Sequence, residues 1–404
     1  MLWSDILLDS LLGFLSTGLL DWSGWKIFFY TLAVTHVTIA GVTIYLHRCQ
    51  AHRALDVHPI VAHFFRFWLW MTTGMITSEW AAIHRKHHAK CETPEDPHSP
   101  QTRGLWKVLA EGAELYRAEA KNEETLRKFS HGTPNDWIEN NVYKRYPILG
   151  ISMMMIINIA LFGAIGLTVW AVQMVWIPFW AAGVINGLGH YWGYRNFNCA
   201  DASTNLLPWG IIIGGEELHN NHHTYATSAK LSNKWYEFDI GWLYIRTLSF
   251  VGLAKVKKVA PTPKLAKIKA ACDDDTLQAV LSNRYEVMAR YAKTFKRAYG
   301  EELARFKDKR QHGEYQLFRG ARKWLHHDEA SLQEPQKQQL GEIFAHSNAV
   351  KTYYELRREL AGIWDRSNAS REQLLGQLQS WCHRAEQSGI HALQEFATRL
   401  RRYA

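Results

Sequence analysis

The spacing of its histidines limits what this chain can fold into more than any other feature. Thirteen of its 20 histidines lie between His47 and His223. Eight of these fall in three tight groups: HRCQAH, with His47 and His52; HRKHH, with His84, His87 and His88; and HNNHH, with His219, His222 and His223. Residues three and four apart share one face of a helix, so HxxHH presents several imidazoles from a single turn. Neutral imidazole ligates iron, copper, nickel or zinc. His47 and His52 are five apart and converge only if the helix ends or distorts near them. A lone histidine is usually a satisfied polar side chain, and one HxxHH in a His-rich chain is weak evidence. Two copies together with HxxxxH are a strong signal for a metal site. Asn186 and His190 in INGLGH form a further candidate pair at i and i+4. Nine histidines from four segments can thus surround two metals, with Asn186 reaching metal directly or through water.

The setting of these groups is apolar. Mean hydropathy over the 404 residues is -0.26, which looks soluble, but the apolar residues concentrate in the first half. A bilayer-crossing helix needs about 20 mostly apolar residues. Lys26 to Leu46, Pro147 to Trp170 and Ala171 to Leu188 meet that requirement, and Ile6 to Leu20 is a shorter, weaker fourth. Ile60 to Thr77 is also apolar, yet it carries His63 and Arg66 and separates two histidine groups that must share one face. It is expected to be re-entrant or surface-embedded, resting on protein that satisfies its polar groups. Lys and Arg are dense between Glu79 and Tyr146, which the positive-inside rule places in the cytoplasm. The 147–188 hairpin then returns the chain to that side, so all three groups share the cytoplasmic face. Many of the 18 Trp and 17 Tyr border the apolar runs, as rings at a bilayer interface do.

The fold class expected is all-α: an integral membrane protein with about four transmembrane helices, a cytoplasmic helical cap holding a dimetal site, and a soluble helical C-terminal tail. Residues 1–260 form the membrane domain with its cap, and 261–404 form the tail. Helical apolar spacing runs from Asn283 to Phe306, and Ser370 with Gln373 forms a capping box before Leu374. Five widely spaced cysteines without a CxxC pair predict no disulfide framework and a reducing compartment. The N-terminus lacks a basic n-region, and Asp5 and Asp9 interrupt its first apolar run, so no signal peptide is expected. His36, His58, His63, His98 and His131 are expected to be structural or surface residues. The tail histidines His312, His326, His327, His346, His383 and His391 are expected to be solvated.

At the histidine groups the sequence resembles the membrane fatty-acid desaturase family, whose signature is the order HxxxxH, HxxHH, HxxHH. SEWAAIHRKHH, KCETPEDPHSP, NGLGHYWGYRNF and GGEELHNNHHTY are similar to delta-9 desaturase segments. The likeness covers about residues 20–260 and is greatest to the bacterial acyl-lipid branch. It implies a mushroom-shaped fold in the bacterial inner membrane, two iron ions held by the nine histidines and Asn186, and O2-dependent desaturation of a fatty-acyl chain. The substrate implied is membrane phospholipid, with acyl-CoA as the alternative. The resemblance also matches Trp80 to a tryptophan beside the bend of the acyl channel, although an interface-belt role fits that ring equally. Arg85 and Lys86 are candidates for a substrate phosphate, with solvated surface charge as the blander alternative. One departure stands out: Gly183 occupies a position where the family often has a bulky residue, which puts pocket shape in question.

No haem-binding HPGG segment, cysteine cluster or GxGxxG motif occurs, so electrons must come from an external donor, and a ferredoxin-like acidic protein suits the basic face. The nearest rivals are a histidine-box hydroxylase or ketolase. A metal transporter would place ionisable residues inside several spans, whereas here they cluster at span ends. The net charge of +9 raises nucleic-acid binding by the tail, but its acidic and basic residues are interleaved, so no nucleic-acid partner is expected.

Overall fold

The computed structural model describes residues 3–322, 325, 332–365 and 369–404. By internal contacts the chain separates into Met1–Ala260 and Pro261–Ala404. Helices dominate both units. The strands among the described residues are short pairs: Leu55–Val57 runs antiparallel to Ala254–Val256, and Trp209–Gly210 runs parallel to Phe238–Asp239.

In the first unit, Gly24–Ala51 and Ile165–Leu188 are long and apolar enough to cross a membrane. Ile6–Thr17 and Pro147–Phe162 are shorter apolar helices. Of the four crossings expected, two therefore reach spanning length. The hairpin between Pro147 and Leu188 turns at Gly163, earlier than the expected boundary between Trp170 and Ala171. Gly163 has φ +67°, and a Cβ there would lie 2.4 Å from the Leu15 carbonyl oxygen. Only glycine suits that turn. Hydropathy is blind to it because the residues on both sides are equally apolar.

Two departures from regular helix position the site. The helix Gly24–Ala40 continues as a π-helix over Gly41–Ala51. The His52 N–H donates to the His47 carbonyl at 3.0 Å, five residues back. This wider turn brings the two histidines to one side, which is the distortion their spacing demands. The second long helix widens in the same way at Pro178–Ile185, just before Asn186.

The apolar run with Arg66 folds as the helix Pro59–Thr73, capped at its end by Gly74 in the left-handed region. Arg66 is buried, and its guanidinium donates to Asp136 at 2.6 and 2.8 Å and to Glu139 at 2.9 Å. Two carboxylates thus offset the several kcal/mol that burying an unpaired guanidinium costs, on the order given by ion desolvation. A second buried pair ties the first histidine group to the chain after the third. Arg48 donates to both Asp239 oxygens at 3.0 Å and to the carbonyls of Ala229 and Gly214.

The second unit has its own apolar core, which includes Tyr291, Tyr353, Leu378, Trp381 and Phe396. The long helix Arg284–Asp308 buries Val287, Tyr291 and Phe295. The Ser370–Gln373 capping box forms at the start of Arg371–Gln387. His312, His346, His383 and His391 are exposed. His326 and His327 lie outside the described residues.

Candidate metal centre

The nine histidines gather at one place in two groups. His47, His52, His84, His88 and His222 form one; His87, His190, His219 and His223 form the other. Within each group the potential ligand atoms lie within 4.8 Å of one another. Several Nε2–Nε2 separations are far shorter: His47–His222 at 3.0 Å, His52–His84 and His88–His222 at 2.8 Å, His190–His219 at 3.0 Å and His87–His190 at 3.2 Å. Two nitrogens bound at right angles to one metal, each about 2.1 Å from it, lie about 3 Å apart. The groups adjoin, since the rings of His88 and His223 stack at 4.3 Å.

The opposite ring nitrogens meet carboxylates. The Nδ1 of His47 lies 2.8 Å from Glu216, that of His87 3.0 Å from Asp96, that of His190 2.9 Å from Glu92 and that of His223 3.1 Å from Asp201. Such a partner fixes the tautomer, frees Nε2 as the ligand atom and raises its basicity. For His223 that Nε2 is buried and without a hydrogen-bond partner among the described residues. Burial first, then repulsion between neighbouring imidazoles, holds His52, His84, His88, His219, His222 and His223 well below the ordinary histidine range. They are therefore neutral, as ligands must be. Burial pushes Asp96 up, but its hydrogen bond with His87 outweighs that and holds Asp96 well below the carboxylate range. Glu216 is lowered in the same way: burial opposes, and His47 prevails. The donor set, its spacing and its carboxylate supports all fit a pair of metal ions.

A cavity of about 540 Å³ reaches the two groups, within the roughly 300–1,000 Å³ of small-molecule pockets. His47, His84, His98, His219, Glu216 and Asn186 form its polar end. Elsewhere its walls are mostly apolar, including Met75, Ile83, Ile151, Met174, Ile177 and Ala181, with Glu79 and Tyr116 among them. Trp80 lines it and stacks on His84, with ring centroids 5.0 Å apart and planes 12° apart. Exposed Arg117 and Lys121 mark its solvent side.

Four residues singled out in the sequence have well-defined surroundings. Arg85 does not line the cavity; it donates to the carbonyls of Gln50, Ala51, Phe129 and His131. Lys86 is paired with Glu119 at 2.8 Å. Both have partners inside the fold, and neither lines the cavity. His98 is buried, as a structural histidine is, stacks on His87 at 4.4 Å and lines the cavity. Gly183 does not line the cavity. A Cβ there would lie 2.8 Å from the Leu109 carbonyl oxygen, and one on Gly112 would lie 2.5 Å from that of Ala182. These glycines let the helix Leu105–Glu119 cross the last long helix closely, and no bulky residue fits. The remaining histidines are dispersed. His36 bonds Tyr244 at 2.6 Å, His58 caps the helix Pro59–Thr73, and His63 and His131 are exposed.

The four supporting carboxylates went unnoticed in the sequence. Glu92 and Asp96 follow the second box within nine residues of His87, and Glu216 precedes the third. Acidic residues that close to a histidine box are the available signal.

Comparison with known proteins gives the same direction. The icosanoyl-CoA 5-desaturase of Limnanthes douglasii is 28% identical over 57% of this chain and 65% of its own length. The sn-1 stearoyl-lipid 9-desaturase of Anabaena variabilis is 26% identical over 54% of this chain and 79% of that protein. The delta-9 acyl-lipid desaturase 1 of Arabidopsis thaliana is 28% identical over 57% and 74%. In the tail, a transposase family model matches residues 278–404, under a third of the chain. The fatty acid desaturase family model matches residues 23–246, more than half of the chain and the whole of the histidine constellation. This chain belongs to the fatty acid desaturase family.

Proposed function

We propose that this chain introduces a double bond at the Δ9 position of a saturated fatty-acyl chain, carried by membrane phospholipid, using O2 and two iron ions. The observation that carries this reading is the junction of two imidazole groups with an apolar cavity. His47, His52, His84, His88 and His222 would hold one ion and His87, His190, His219 and His223 the other, with Asn186, which lines the adjoining cavity, reaching metal directly or through water. The chemistry such a pair supplies when bound is O2-driven removal of hydrogen from an unactivated methylene, which no side-chain acid or base can deprotonate. The protein's own work is positioning. The cavity walls hold the acyl chain in place, Trp80 and His84 border the reacting carbons, and the carboxylates keep the imidazoles aimed. An external donor supplies the electrons.

Gly24–Ala51, Ile165–Leu188 and the two shorter apolar helices provide four crossings of a bacterial inner membrane. The boxes and the 261–404 region face the cytoplasm. Relatives named for acyl-CoA and for acyl-lipid substrates both occur, so acyl-CoA is the second substrate reading. The tail is given no nucleic-acid role. Its cations pair locally with acids, as Arg290 with Glu286 and Arg297 with Glu301. The transposase likeness makes salt-dependent DNA binding by the full chain worth measuring, with no binding expected at physiological salt.

The test is expression in cells fed a labelled saturated acid, followed by mapping of new double bonds in phospholipid and CoA pools. Labelled Δ9 alkene appearing first in phospholipid is the expected result. Hydroxylated chains would favour the hydroxylase reading, and first appearance in the CoA pool would favour acyl-CoA.

A further inference from the structure

We infer that the segment following the last long helix forms an apolar collar seated in the cytoplasmic leaflet, with basic residues at its edge for anionic lipid headgroups. The inference rests on the membrane orientation proposed above and adds a contact that crosses nothing.

The helix Ile240–Phe250 has 11 residues and carries Arg246 in its midst, as suits a helix lying along a leaflet and not crossing it. Its inner side packs on the first long helix. Ile245 is fully buried in a cluster with Ile39 and Val42, and the Tyr244 hydroxyl lies 2.6 Å from Nε2 of His36. His36 precedes His47 by about 16 Å of helix rise. The short helix therefore stands beside the metal-proximal half of a membrane-crossing helix, at a depth where lipid surrounds the protein. Its outer side presents Leu243, Phe250 and Val251, with Phe250 92% exposed.

A strap on the same stretch repeats the pattern. Gly214 is pressed against the long helix, where a Cβ would lie 2.7 Å from Thr43 and 2.9 Å from Ile39. The Thr43 hydroxyl oxygen lies 3.1 Å from the Gly214 carbonyl oxygen. Just before it, Trp209, Ile211 and Ile212 are exposed, as is Phe238 on the paired strand. Asp239 joins the two parts: it ends that strand and caps the short helix, accepting from the Trp242 N–H at 2.9 Å. Both parts are fixed to the same long helix, and both present exposed apolar side chains. Grouped exposed apolar side chains of this size mark contact with lipid or protein.

Depth and charge choose lipid. An aqueous protein partner would have to reach below the level of the metal groups, where the bilayer already stands. Arg246 projects from the outer side beside the Trp242 ring, and Lys255 and Lys258 are exposed just beyond the helix. Cations flanking a shallow apolar face suit an anionic leaflet. The collar sets the height of the metal pocket over the leaflet, so that an acyl chain enters without passing through water.

The test uses the full chain in nanodiscs containing a phospholipid with a photoreactive group in its acyl chain, with adducts mapped by mass spectrometry. Adducts in the long helices and in both 207–212 and 243–251 are expected. Adducts in the long helices alone would overturn the collar, whereas adducts in neither would overturn the membrane reading itself. Acetylation of Lys255 and Lys258 is then compared between anionic and purely zwitterionic nanodiscs. At least threefold slower labelling in the anionic discs, reversed by salt, is expected, and equal rates would remove the headgroup contact.

Discussion

Nε2 of His47 and Nε2 of His222 lie 3.0 Å apart although 175 residues separate them in the chain. Nothing in an apolar fold draws two imidazole nitrogens that close unless a shared proton or a shared ion sits between them. His222 also approaches His88 at 2.8 Å, so one ring serves two neighbours, as the corner of a coordination polyhedron does. His222→Ala should therefore lower bound iron and reduce labelled alkene by at least about 100-fold, while protein remains in the membrane fraction at normal level. Undiminished alkene at equal expression would remove His222 from the site.

The carboxylates behind the imidazoles give a graded prediction. Glu216 holds His47 and accepts from Thr43 at 2.6 Å; Asp96 holds His87. Glu216→Ala and Asp96→Ala should weaken metal binding by about 10–100-fold. Glu216→Gln and Asp96→Asn keep an acceptor at the ring and should lose less. Titration of the metal-free protein with ferrous iron distinguishes these outcomes, and equal affinity in all four variants would contradict the role.

Two small residues on the last long helix should respond in opposite ways. Ala181 lines the cavity, so Ala181→Leu narrows it and should shift product toward shorter acyl chains with the protein still folded. Gly183 meets the Leu109 backbone, so Gly183→Leu should lower yield and thermal stability by about 1–3 kcal/mol or more through overpacking. Chain-length profiles and thermal unfolding of the two variants provide the check. A Gly183→Leu protein of normal stability with altered chain length would place that residue in the pocket after all.

The buried pair Arg48–Asp239 fastens the first histidine group to the segment after the third. Arg48→Met strands a buried carboxylate and should cost about 3–5 kcal/mol. Arg48→Met with Asp239→Leu should recover part of that loss. A double variant no better than the single one would show that the pair does not act as a unit.

How much of this was legible beforehand follows from what sequence patterns encode. Box histidines stood out because a metal demands several imidazoles at helical spacing. Their clustering on one side of the long helix required the π-helical stretch at Gly41–Ala51, which no side-chain period announces. Hydropathy found the apolar hairpin and misplaced its turn, since the cue at Gly163 is a backbone angle. The pocket role of Gly183 was misjudged because a missing side chain looks like empty space, and here it is filled by the Leu109 backbone. The partners of Arg85 and Lys86, such as the His131 carbonyl and Glu119, are more than 30 residues away, so no local pattern announces them. The tail helices were readable from amphipathic spacing and the Ser370–Gln373 box, which are local signals.

The most direct measurement is the metal content of the protein purified from membranes after iron-supplemented growth. The account predicts about two irons per chain, as a two-metal site requires, falling to about one or fewer in His222→Ala. A protein that desaturates lipid while carrying a single iron, or none, would contradict it.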